Sequence, residues 1–93
     1  MTADPDKTWR IDNAKHLKGL RLHFRRYTRW SDDWDHDHCE ACMAKFAEFD
    51  GENILHEGYA SGDDYRHGAG YAWICGECFN DLKDDMNWSL AAD

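Results

Sequence analysis

The stretches that decide the fold are Cys39-Glu40-Ala41-Cys42 and Trp73-Ile74-Cys75-Gly76-Glu77-Cys78-Phe79. They hold all four cysteines of the chain, arranged as two pairs with two residues inside each pair. That spacing lets a tight turn present both sulfurs to one tetrahedral ion, and two such pairs supply the four thiolates that structural zinc prefers. One zinc ion per chain, held by Cys39, Cys42, Cys75 and Cys78, is the first expectation. The 32 residues between Cys42 and Cys75 exceed the roughly 15 to 20 of the common ribbon spacing. An inserted hairpin would close such a gap. Ile54 to Ser61 and Gly70 to Cys75 read as its strands, around a long polar tip, Gly62 to Gly68, that is expected to be mobile.

Other chemistries fit the pairs less well. A four-cysteine disulfide framework belongs to secreted chains. The opening, Met1 to Lys7, lacks the apolar stretch of a signal peptide, and no run is long and apolar enough to span a bilayer, so a cytoplasmic protein away from membranes is expected. A redox pair at a helix start, as in thioredoxin-like proteins, would account for Cys75 and Cys78 but not for Cys39 and Cys42. The chain is also too short for the parallel sheet that surrounds such a motif. Two buried free-thiol pairs would be merely hydrophobic, and packing alone does not explain two identical pairs.

Working outward from the second pair, Phe79, Leu82, Met86 and Leu90 recur at spacings of three, four and four among charged residues. This predicts an amphipathic helix from Cys78 to about Leu90, its apolar stripe on the hairpin and its free first-turn amides near the thiolates. Outward from the first pair, Met43, Phe46, Ala47 and Phe49 suit a short helical turn or an irregular apolar segment, ended by Asp50-Gly51. The order of a cysteine turn, a hairpin and a second pair opening a helix resembles a treble-clef zinc finger. Cys39 to Cys42 would be its zinc knuckle and Ile74 to Phe79 its strand-to-helix half. The resemblance implies an α+β fold, a small zinc-stabilised domain of knuckle, β-hairpin and C-terminal helix, with the N-terminal third as an additional strand region. It implies fold and metal, not function.

On this reading 1–93 is a single domain, with 1–8 frayed, 9–30 a basic strand region and 34–90 the zinc-binding core. In the basic region Leu20, Leu22 and Phe24 alternate with Arg21, His23, Arg25, Tyr27 and Arg29 as far as Trp30, which predicts a strand. Trp9 and Ile11 suit the start of an earlier strand, with Asp12 and Asn13 in a turn and Gly19 at a bend.

Charge is divided unevenly along the chain. The net charge is −8, yet residues 1–30 hold eight Lys or Arg against three Asp, while residues 31–93 hold three Lys or Arg against sixteen Asp or Glu. The two parts attract, and the acidic body is expected to hold the basic strand. A four-thiolate zinc site would itself carry −2. His36, His38 or an arginine of the basic strand is expected to compensate it, with His38 also placed to replace one cysteine and either histidine to bond a sulfur. Asp33, Asp35 and Asp37 have the alternation of a calcium loop, but His38 and Ala44 stand where that loop needs Gly and Glu.

Three functions compete. Treble clefs include the HNH nucleases, and Leu55-His56-Glu57 with Phe79-Asn80-Asp81 occupy loosely matching places, but the usual Asp-His pair is missing. Arg21, Arg25 and Arg29 with His23 and Tyr27 between them would suit phosphates and a stacked base. Overall acidity ranks nucleic acid behind a protein partner. A non-catalytic protein-interaction module with structural zinc is therefore the leading expectation, its surface offered by Tyr59, Tyr65 and Tyr71 and the acidic loop at Trp34.

Overall fold

The computed structural model describes residues 5–28, 33 and 35–91. The chain enters as a helix, α1 (Pro5–Ala14), extended by a 3-10 turn at Lys15–Leu17. Proline at the first helical position is favourable, because its missing N–H is one that has no intrahelical acceptor. This corrects two expectations: Trp9 and Ile11 do not begin a strand, and the segment read as frayed is helical from Pro5. The side chains turned inward are Arg10, Ala14 and Leu17, all buried and spaced four and three apart, while Trp9 is exposed. A stripe whose first member is an arginine shows little hydrophobic periodicity, which is why the helix was hidden.

Strand β1 (Arg21–Arg26) follows Gly19, whose φ of +83° is the left-handed turn that glycine allows. Farther along lie β2 (His36–His38), β3 (Lys45–Ala47), β4 (Ile54–Leu55), β5 (Glu57–Ser61) and β6 (Trp73–Ile74). The chain then forms α2 (Gly76–Met86) and ends in β7 (Ser89–Leu90). One sheet has the order β6-β5-β1-β7, with β1 antiparallel to β5 and parallel to β7; the other has the order β2-β3-β4. The segment after the first cysteine pair, expected as a short helical turn or an irregular apolar stretch, therefore holds strand β3, paired antiparallel with β2 and parallel with β4.

The expected hairpin is β5 and β6, paired with Tyr59 opposite Ile74 and Ala60 opposite Trp73. Its long tip is organised by one hydroxyl: Ser61 Oγ donates to the Gly68 carbonyl and accepts from the amides of Tyr71 and Ala72. Helix α2 ends at Met86, four residues before the expected stop, because Asn87 takes a left-handed C-cap with φ of 55°. Leu90 consequently joins β7 and is exposed.

Two layers of aromatic packing flank the four-stranded sheet. On one side Phe79 of α2 stacks on Tyr59 with ring centroids 3.9 Å apart, and Phe24 packs against Tyr59 at 5.0 Å. On the other, Tyr27, Phe46 and Trp73 form a cluster with centroids 4.9 to 5.9 Å apart. Gly58 admits this second layer: a Cβ there would stand 2.8 Å from the Phe46 ring and 2.9 Å from the Ile74 carbonyl oxygen. Leu82 and Met86 complete the buried face of α2, which packs against α1 as well as β5.

Candidate metal centre

The first cysteine pair lies on the turn joining β2 to β3. The Cys39 amide donates to the Ala44 carbonyl (2.7 Å) and the Met43 amide to the Cys39 carbonyl (2.9 Å), folding the turn tightly enough to put Met43 at φ of 70°. Cys39 bridges in parallel to Trp73, and the Glu40 amide donates to the Trp73 carbonyl, so the turn is pinned beside the end of β6. Two residues later comes Cys75, the N-cap of α2, whose sulfur accepts from the Cys78 amide at 3.4 Å. Pairing of β5 with β6 thus closes the 32-residue gap, as the spacing argument required.

The four sulfurs lie within 4.8 Å of one another, and among the described residues no other group of three or more His, Cys, Asp or Glu is placed to hold a metal. Four ligands at about 2.3 Å around a tetrahedral ion would stand about 3.8 Å apart; Cys42 and Cys75 sulfurs are 3.6 Å apart. All four cysteines are free; Cys39, Cys75 and Cys78 are buried and Cys42 half-buried. The Cys75 amide donates to Cys39 Sγ at 3.3 Å. These cysteines are positioned to coordinate one metal ion.

Hydrogen bonding among the cysteines pulls the pKa of Cys39 down and pushes that of Cys75 up. Cys78 is raised as well, first by its bond to Cys39, against a lowering pull from Arg10. A bound divalent cation is what allows all four sulfurs to be thiolates.

Arg10 is the charged partner that sequence reasoning missed. Only 7 % exposed, it places one guanidinium nitrogen 3.5 Å from Cys78 Sγ and 3.1 Å from Asp81 Oδ2. Asn13 Nδ2 donates to the Ala41 carbonyl (2.9 Å), and His16 Nε2 lies 2.9 Å from Glu40 Oε1. One face of the N-terminal helical segment thus clasps both cysteine turns. The one usable sequence signal was the spacing of Arg10, Ala14 and Leu17 after Pro5.

His36 and His38 lie on β2, outside the cysteine cluster. Their rings meet edge to face at 4.9 Å, and His36 Nδ1 is 3.0 Å from Asp35 Oδ2. Among the described residues, the basic side chain bonded to the cysteine sulfurs is Arg10, not His36, His38, Arg21, Arg25 or Arg26.

The basic strand also differs from expectation. β1 is an interior strand of the sheet, so backbone pairing and the buried Leu22 hold it. Among the described residues Arg21, Arg25 and Arg26 form no ion pair; the Lys and Arg links to the acidic body are Lys7 to Asp85 and Arg10 to Asp81, both from α1, beside the His16–Glu40 contact. Tyr27 is buried and donates to Asp37 Oδ2 at 2.8 Å, which removes it from any base-stacking role. His23 is half-buried beside Gly62, Arg25 lies over the Trp73 ring, and Arg29 and Trp34 fall outside the described residues. Tyr59 and Tyr71 are half-buried and Tyr65 is buried, so the expected exposed tyrosine surface is largely core.

The residues considered for catalysis are engaged separately. His56 Nε2 is 3.1 Å from the Phe49 carbonyl oxygen and 3.6 Å from Asp50, Asp81 is paired with Arg10, and Asn80 is exposed on α2. No helix of the described residues is long and apolar enough to cross a membrane. No family model matches the chain, and comparison with curated proteins and with solved structures finds no match.

Proposed function

We propose that this chain is a treble-clef-like zinc domain whose metal is structural and whose role is non-catalytic interaction with a protein partner. The observation that carries the metal reading is the convergence of four sulfurs within 4.8 Å at a turn and a helix start. Zinc suits an all-thiolate tetrahedral set, and four protein ligands leave no position for water or substrate. When bound, zinc supplies cross-linking of the β2–β3 turn to the start of α2. The chain's own residues support it through the Cys75 and Cys78 amides and the Arg10 guanidinium. The knuckle-like turn, the β5–β6 hairpin and the helix opened by the second pair support the treble-clef assignment.

The interaction role draws on the exposed apolar side chains Trp9, Phe24, Met43, Phe49 and Leu90, which a partner surface could cover. Two tests address it. Affinity capture on zinc-loaded protein, with nuclease-treated and untreated arms, should retain a protein partner in both and lose it when zinc is stripped. A nuclease assay with added magnesium or manganese should show no cleavage; cleavage lost in His56→Ala would establish an HNH-like enzyme instead.

A second reading, nucleic-acid binding, is favoured by one observation: Arg21 and Arg26 are exposed and, among the described residues, have no ion-pair partner in a chain of net charge −8. A salt-sensitive gel shift abolished by Arg21→Gln with Arg26→Gln would support it.

A further inference from the structure

Beside the cysteine cluster lies a cleft of about 460 Å³ whose apolar lining comes from Phe24, Ala44 and Leu55 and whose acidic lining comes from Glu57 and Glu77. The half-buried Cys42 also lines it, and no lysine, arginine or histidine does. Phe24 is 46 % exposed, although its neighbour on the same strand face, Leu22, is fully buried. Arg26 is in register with Glu57 across the β1–β5 pair but forms no ion pair with it. The metal centre is therefore balanced on one side only. Arg10 meets Cys78, while the Cys42 side opens into a cleft whose charged residues are all acidic.

Resting on the interaction reading above, we propose that this cleft binds an extended segment of a partner protein, with one aliphatic side chain against Phe24 and Leu55 and flanking lysine or arginine side chains toward Glu57 and Glu77. An apolar side chain gains by leaving water against exposed carbon. Cationic neighbours are selected because an acidic segment would meet the two carboxylates of a cleft that no basic residue lines.

The test is NMR titration of isotope-labelled, zinc-loaded protein with three capped tripeptides: Lys-Leu-Lys, Ser-Leu-Ser and Glu-Leu-Glu. The basic peptide should shift the amides of Phe24, Leu55, Glu57 and Glu77 and saturate in the millimolar range; the acidic one should not. Replacing Glu57 and Glu77 together by glutamine, both exposed and outside the metal ligands, should leave the spectrum folded and weaken the basic peptide by about fivefold or more. No shift with the basic peptide, equal shifts with the acidic one, or an unchanged affinity in the double variant would each overturn the cleft assignment. Affinity capture that still retains a partner under those outcomes would leave the interaction reading standing with a different surface.

Discussion

Replacing Arg10 by methionine keeps the apolar stem of the side chain and removes its charge and donors. Cys78 and Asp81 each lose a charge-assisted hydrogen bond, and they differ in what they can do afterwards. The Asp81 side chain is 48 % exposed and rehydrates when released, so the roughly 3 to 5 kcal/mol of a broken buried pair is too high. A loss of about 1.5 to 3 kcal/mol, the worth of hydrogen bonds to charged groups, is the better expectation. Cys78 is 1 % exposed, so water does not replace the donor that its sulfur loses. The larger effect should therefore fall on metal affinity, about 10- to 100-fold, as for other residues that support a metal ligand. Competition of Arg10→Met against a chromophoric zinc chelator, with urea unfolding of the zinc-loaded protein alongside, measures both quantities. Arg10→Lys should fall between parent and methionine variant, since it keeps the charge without the planar fork. Zinc affinity of Arg10→Met within about twofold of the parent would refute the reasoning that Arg10 balances the thiolates.

Leu82→Ala should cost about 2 to 5 kcal/mol by urea unfolding, because Leu82 is fully buried, whereas Leu90→Ala, 54 % exposed in β7, should change the midpoint little. Gly58→Ala should destabilise by about 1 to 3 kcal/mol, since its Cβ meets a backbone carbonyl as well as the Phe46 ring; a neutral result would mean that β5 shifts freely. Burial first, and then the hydrogen bond to Asp37, push the Tyr27 phenol well above the ordinary tyrosine range. The folded state thus keeps a proton that the unfolded chain releases, so Tyr27 helps stability below about pH 10 and that help is lost as pH rises beyond it. Tyr27→Phe should flatten this alkaline decline in unfolding curves recorded across the range.

How much was legible from the residues depended on whether the signal was local. The cysteine pairs, the β5–β6 hairpin and the start of the last helix were readable because a ligand spacing, an alternation and a stripe are each written within a few residues. Helix α1 was misread because its inward face begins with Arg10, a residue that becomes buried only when Cys78 and Asp81, nearly seventy residues later, come to meet it. β3 was missed for a related reason. Three residues are too few to show a period, and Phe46 and Ala47 are buried on opposite faces of the strand. Alternation placed Tyr27 correctly opposite Phe24 but could not tell that its side of the sheet is covered by Phe46 and Trp73 while Phe24 stays exposed. The charge partition is real, yet among the described residues its ion pairs run through Lys7 and Arg10 of α1 rather than through Arg21, Arg25 or Arg26.

Metal content of the freshly purified protein, paired with circular dichroism before and after a strong chelator, tests the structural-zinc reading most directly. Structural zinc contributes on the order of 10 kcal/mol in small domains, comparable with the 5 to 15 kcal/mol of total stability that a domain commonly has. One zinc per chain is predicted, with cooperative loss of structure when it is stripped and recovery when it is returned, and loss of binding in Cys39→Ser or Cys78→Ser. A chain that purifies without metal and keeps its folded spectrum unchanged in chelator would contradict it.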